Sequence, residues 1–145
     1  MKKILLLILI AISSHCMASE ADEKDLIARI QKFIAEKDME LLKPTIWDYE
    51  QMPLAQVMDT FKDFQILALA GAESMEFTEV YPIMKEQYFK PHKIGDSTYE
   101  LNVAPYKMLE MRYKRVFKNA DYGFSAITGY RDGKLWITGL RKVKE

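Results

Sequence analysis

Thiols and imidazoles are almost missing from this 145-residue chain, which holds one cysteine, Cys16, and two histidines, His15 and His92. A single cysteine excludes an internal disulfide framework, and so few thiols and imidazoles leave no zinc ligand set of the usual kind. Glycine is sparse as well, and no Gly-x-Gly-x-x-Gly, Walker or Gly-x-Ser-x-Gly pattern occurs. Phosphate cradles and a nucleophile elbow are therefore not indicated. Neither sign of charge is in excess, with 21 basic against 21 acidic residues. That balance argues against nucleic acid as a partner, as does the lack of aromatics on the polar strand faces. No cofactor and no metal is expected.

Long apolar runs are also lacking, apart from nine residues, Ile4 to Ile12, behind Lys2 and Lys3. Nine helical residues rise only about 13 Å against a hydrocarbon core of roughly 30 Å, too short to span a membrane. A basic start, an apolar stretch, then polar and small residues make the layout of a secretory leader, with Cys16-Met17-Ala18 placing small residues before a cut after Ala18. The expectation is a periplasmic or secreted protein, residues 1–18 a leader and 19–145 one domain, with no stable membrane insertion after cleavage. The rival is a lipoprotein anchored through Cys16. It resembles that motif less well, because His15 stands where Gly, Ala or Ser is wanted. Cleavage would leave about 127 residues, one domain's worth, with no cysteine and with His92 as the remaining imidazole. Packing alone must then stabilise the fold.

What is present is unevenly spread. Residues 19 to 79 carry 14 acidic and 6 basic side chains, whereas residues 107 to 145 carry 10 basic and 4 acidic. One reading is an acidic helical layer balancing a basic sheet. The other is that Arg112, Lys114, Arg141, Lys142 and Lys144 form a docking face for an anionic partner. Seven methionines would survive cleavage, suited to an adaptable core or, on a surface, to copper.

Leu26, Ile27, Ile30, Phe33 and Ile34 form one stripe at a 3.6-residue period, predicting a helix from about Asp22 to Ala35. Asp38 is placed to cap a short second helix that Pro44 stops. Leu54, Val57, Met58 and Phe61 predict a third, ending near Asp63. Phe64 to Ala70 fits either a buried strand or more helix, closed by Gly71. Strands are expected at Met75 to Phe77 and onward, with Pro82 to Gln87 a helical turn, Tyr88 to Lys93 extended, Gly95-Asp96-Ser97 a turn and Thr98 to Val103 a strand. Ala104-Pro105 reads as punctuation before a long strand, Met108 to Phe117. There Leu109, Met111, Tyr113 and Phe117 alternate with Glu110, Arg112 and Lys114, one face buried and one wet. A hairpin follows, Phe124 to Tyr130 and Leu135 to Leu140, with Asp132-Gly133 suited to a type I′ turn. The fold class is α+β, N-terminal helices packed on a strongly curved antiparallel sheet, a cone or roll.

Phe33 to Leu42, a helix-break-helix opening, and the closing Asp132-Gly133-Lys134-Leu135-Trp136-Ile137 resemble the NTF2-like, or cystatin-like-roll, superfamily. The resemblance implies a sheet wrapped around the first helix with a pocket at the mouth of the cone. It implies no particular chemistry, because that fold carries enzymes, ligand carriers and assembly modules.

The candidate catalytic residues are Asp48, Tyr49 and His92, a carboxylate, a phenol and an imidazole able to move protons. His92, between Pro91 and Lys93, reads equally as a solvated turn residue, and Tyr81, Tyr88, Tyr99, Tyr113 and Tyr130 are further donors if they face inward. Trp47 either plugs the end of the core or opens a binding site. Trp47, Tyr113, Tyr130, Arg112 and Lys114 are the candidate ligand or partner residues. The favoured function is a non-enzymatic exported module for a small apolar ligand or a protein partner, self-association into a homodimer included. The alternative is a small cavity enzyme using an Asp and Tyr residues for acid/base chemistry.

Overall fold

A computed structural model describes residues 18–47, 54–80, 91–100, 103–118 and 121–143. The acidic start of the first helix comes with its own cap. Ser19 and Asp22 form a reciprocal capping box, each satisfying a backbone N–H that the first turn would otherwise leave unpaired. Helix α1 therefore begins at Glu20, two residues earlier than the stripe predicts, and runs to Glu36. Leu26, Ile30 and Phe33 are its buried face.

The expected second helix is instead two 3₁₀ turns, Met39–Leu41 and Lys43–Thr45. Asp38 does cap the first, accepting from the Glu40 N–H at 2.9 Å. Pro44 does not stop the chain, because at the start of a turn its missing N–H has no bond to lose. Helix α2, Leu54–Ala70, passes the expected end at Asp63. The undecided run 64–70 is thus helical: Phe64, Leu67 and Ala70 are buried at three-residue spacing while Gln65 and Leu69 face out. It closes where the Gly71 N–H donates to the Leu67 carbonyl at 2.8 Å.

Among the described residues six strands follow: β1 Ala72–Thr78, β2 His92–Ile94, β3 Ser97–Tyr99, β4 Ala104–Tyr113, β5 Gly123–Arg131 and β6 Lys134–Val143. Strands β2 and β3 pair as a small hairpin around Gly95-Asp96, so the strand expected to reach Val103 ends at Tyr99. The helical turn expected at Pro82 to Gln87 lies outside the described residues. The main sheet is antiparallel in the order β1-β4-β5-β6. The fold is α+β, with the helices preceding the sheet as expected.

Pro105 is a strand residue, not punctuation, paired with Gly129. β1 reaches β4 only as far as Thr78 opposite Met108, so residues 104–107 have no β1 residue beside them and a missing N–H there breaks no β1–β4 bond. Irregular register at Ala72/Ser74, Pro105/Met108 and Ile127/Thr128 puts a bulge in each strand pair, the device that bends and coils a sheet. The hairpin turn is as expected: Asp132 and Gly133 have φ of 53° and 73°, the two positive angles of type I′.

The long strand ends at Tyr113, four residues short of its expected end. There the Tyr113 N–H donates to the Tyr122 carbonyl and the Lys114 N–H to the Gly71 carbonyl, both at 2.9 Å. Leu109, Met111 and Tyr113 are buried as their alternation requires, but Phe117 lies beyond the strand and is exposed. The expected wet face is only partly wet. Central β5 is buried from Gly123 to Gly129: Phe124 and Ala126 face the main core, and Ile127 joins Val80 and Met108 in a second small cluster apart from it. The main core joins both helices to the sheet through edge-on rings: Phe33 to Phe64 at 6.1 Å and Phe64 to Phe124 at 5.1 Å.

Candidate functional site

Antiparallel pairing sorts the candidate residues to two ends of the sheet. β5 runs from Gly123 at one end to Arg131 at the other, about 27 Å by the strand rise.

At the hairpin end, the second 3₁₀ turn lies along β6. Ile46 bridges Ile137, and the Trp47 N–H donates to the Ile137 carbonyl at 2.8 Å. This delivers the Trp47 ring to Trp136, edge-on with centroids 5.2 Å apart. The Trp136 indole N–H donates to the Arg131 carbonyl at 3.2 Å, fixing the second ring. The Arg131 guanidinium lies over Trp47 at 5.4 Å, and the Lys134 ammonium over Trp136 at 4.0 Å. Lys134 also donates to the Pro44 carbonyl. Burial, with Arg29 nearby, holds its pKa below the ordinary lysine value despite Asp25, while the carbonyl and the ring face favour the charged form. Among the described residues, the Thr45 hydroxyl and the Trp47 indole N–H are buried without a hydrogen-bond partner. Such groups are uncommon, and each costs about 1–3 kcal/mol. Tyr130 is half-buried at the same end, packed against the main core.

Tyr113, Arg112 and Lys114 lie at the opposite end. Tyr113 is buried, its ring 6.1 Å from Phe124. Burial first, then the charges of Asp63 and Asp121, push its hydroxyl pKa far above the ordinary value, so it holds its proton. Asp63 is also raised, by burial chiefly and by Asp121 and Asp59, against the pull of Lys142 and Lys62. Asp121 pairs with Lys142 at 3.5 Å. Arg112 and Lys114 are exposed. On the outer face the register sets Arg112 opposite Ser74 and Arg141 opposite Ser125, with Glu76 and Glu110 paired beside them. The charge of that face is mixed, and Lys144 lies outside the described residues.

A third cluster joins helix to sheet. Glu23 of α1 accepts from the Tyr106 hydroxyl at 2.7 Å and from the Lys107 ammonium at 2.8 Å. Phe77 packs edge-on to Tyr106 at 6.1 Å. Burial raises the Glu23 pKa, but the bonds from Lys107 and Tyr106 and the Lys107 charge outweigh it, for a net value below ordinary glutamate. This pair is one instance of the acidic layer balancing the basic sheet. Arg29 with Asp25 and Lys32 with Glu36 instead pair within α1.

Asp48 and Tyr49, as well as Tyr81 and Tyr88, lie outside the described residues. His92 stands in β2 opposite Tyr99, a strand position and not the expected turn, because the turn falls at Gly95-Asp96. Among the described residues no three His, Cys, Asp or Glu side chains converge as a metal site. No described helix is long and apolar enough to cross a membrane. Sequence reasoning missed Asp63, taken as a helix end, and Glu23 with Tyr106 and Lys107, whose bonds span 83 residues or more. No protein-family model, curated protein or solved structure matches the chain.

Proposed function

We propose that the chain is a non-enzymatic, exported binding module that engages a protein partner at the hairpin end of its sheet. The observation that carries this reading is the Trp47–Trp136 pair with Arg131 and Lys134 over its rings. Trp and Arg are the side chains that most often dominate protein interfaces. The Trp136 indole is held through its ring N–H, and the Trp47 ring packs edge-on against it from a backbone tied to β6, which limits the freedom lost on binding. The Trp47 indole N–H and the Thr45 hydroxyl, without a partner among the described residues, supply two polar groups that a small shift would offer to a partner's carbonyl or carboxylate.

Two further observations favour a surface partner over the other readings. Phe33, Phe64, Phe124, Leu109 and Met111 fill the space between helices and sheet that a small apolar ligand would need. Acid/base chemistry has less support, since Tyr113 is buried against Phe124. The NTF2-like resemblance remains part of the proposal, supported by the order of helix, break, helix and bulged antiparallel sheet.

The test is side-by-side affinity capture from an envelope extract with the parent chain, Arg131→Glu and Trp136→Ala. The expected result is a species retained by the parent and lost at least about tenfold from both variants, while their urea midpoints show them folded. Retention indifferent to both substitutions refutes the proposal.

A further inference from the structure

The end of the sheet away from the tryptophans gathers four of the exposed large apolar side chains among the described residues, while a fifth, Met58, lies in the first half of α2. Between β4 and β5 run Lys114, Arg115, Val116, Phe117 and Lys118, all exposed, with Tyr122 just beyond. Val116 is 45% exposed, Phe117 42% and Tyr122 43%. Leu69, 69% exposed at the end of α2, belongs to the same end, since the Gly71 carbonyl accepts from the Lys114 N–H. Isolated exposed apolar residues need no explanation, but four at one end among cations do.

From this surface we propose that the β4–β5 end docks peripherally on an anionic phospholipid bilayer, Val116 and Phe117 entering the interface and Lys114, Arg115 and Lys118 meeting the headgroups. The arrangement fits a bilayer better than a protein. A protein interface gathers its apolar groups into a core depleted of charge, whereas here each flank of Val116-Phe117 is cationic. A lipid interface wants that interleaving: apolar tips that sink below the headgroups, and cations at headgroup level that gain from the anionic surface. Opposing acids at this end are few. Asp121 is paired with Lys142, and Glu73 sits on β1 beside the Ala72–Tyr113 pair.

The inference is independent of the hairpin-end proposal and is tested apart from it. The exported chain, purified after leader removal, is sedimented with phosphatidylcholine vesicles and with vesicles carrying about 30% phosphatidylglycerol. The expected result is at least about tenfold stronger binding to the anionic vesicles, lost toward about 0.5 M salt. Lys114→Glu with Arg115→Glu abolishes binding, and Val116→Ser with Phe117→Ser weakens it about tenfold at an unchanged urea midpoint. Arg131→Glu, at the other end, leaves it intact. A reporter follows from the placement of the tryptophans: Trp136 pairs with Gly129, about 20 Å along β5 from Gly123, and Trp47 lies against it, so the parent emission stays constant on vesicles while Phe117→Trp adds a blue-shifted component. Equal binding to both vesicle types overturns the inference. So does anionic binding indifferent to the Val116 and Phe117 substitutions, which would mark a general polyanion surface.

Discussion

Phe64→Ala is the substitution that most directly interrogates how the helices hold the sheet. Phe64 is fully buried and its ring lies edge-on to Phe33 of α1 and to Phe124 of β5, so one side chain ties both helices to the central strand. Truncating such a ring costs about 3–5 kcal/mol, the lost transfer of the ring plus a cavity that surrounding atoms only partly fill. For a domain of this size, total stability is roughly 5–15 kcal/mol, so about a fifth or more is at stake. With a urea slope near 2 kcal/mol per molar, a loss of about 4 kcal/mol moves the midpoint down by about 2 M. Phe64→Leu keeps most of the volume and is expected to cost less than about 1.5 kcal/mol. Phe117→Ala, on the exposed loop, is expected to stay within about 0.5 kcal/mol of the parent. Equilibrium urea unfolding followed by far-ultraviolet circular dichroism reads all three. If Phe64→Ala and Phe117→Ala shift the midpoint equally, residues 64–70 are not the buried helical face described, and the ring contacts do not hold the layers together.

Three further outcomes are expected. At Gly123 an added Cβ would overlap the Met111 carbonyl oxygen and come within 3.0 Å of the Arg112 Cα. Backbone cannot step aside cheaply, so Gly123→Ala should destabilise by about 2 kcal/mol or more in the same urea assay; a neutral result would contradict the β4–β5 register. Gly133 meets nothing within 4 Å, but its φ of +73° is one that a β-branched residue resists. Gly133→Val should therefore cost about 1–2 kcal/mol, and an unshifted midpoint would show that the turn is not type I′. Glu23 has a folded pKa below its unfolded value, so its contribution is present above the ordinary glutamate range and is lost as pH falls through the folded value. The stability gap between the parent and Glu23→Gln should accordingly be constant near neutrality and shrink on acidification, in thermal melts across pH; a gap independent of pH would rule out the Tyr106–Glu23–Lys107 bonding.

Legibility in the sequence followed the range of the interaction. The Asp132-Gly133 turn was readable because φ preference is a property of the residues themselves, and α1 because its stripe holds the helical period over about two and a half turns. The run from Phe64 to Ala70 was not, because contiguous apolar residues satisfy both periods; what decides it is that Leu69 faces out. Phe117 kept the parity of a strand that had already ended, since alternation cannot show where a neighbouring strand stops. Of the site residues, Trp47 stood out by type, but its pairing with Trp136 depends on the 3₁₀ turn lying along β6. The clamp at Glu23 left no mark beyond the uneven spread of charge.

The capping box at Ser19 closes the start of α1. Both the Ser19 backbone N–H and its hydroxyl donate to one Asp22 carboxylate oxygen, at 2.7 and 2.9 Å, and the Ser19 carbonyl accepts from the Glu23 N–H. Were the chain cut after Ala18, that backbone N–H would become an α-ammonium within reach of the same carboxylate, with Glu20 and Glu23 beside it, so the cap would pass from a hydrogen bond to an ion pair.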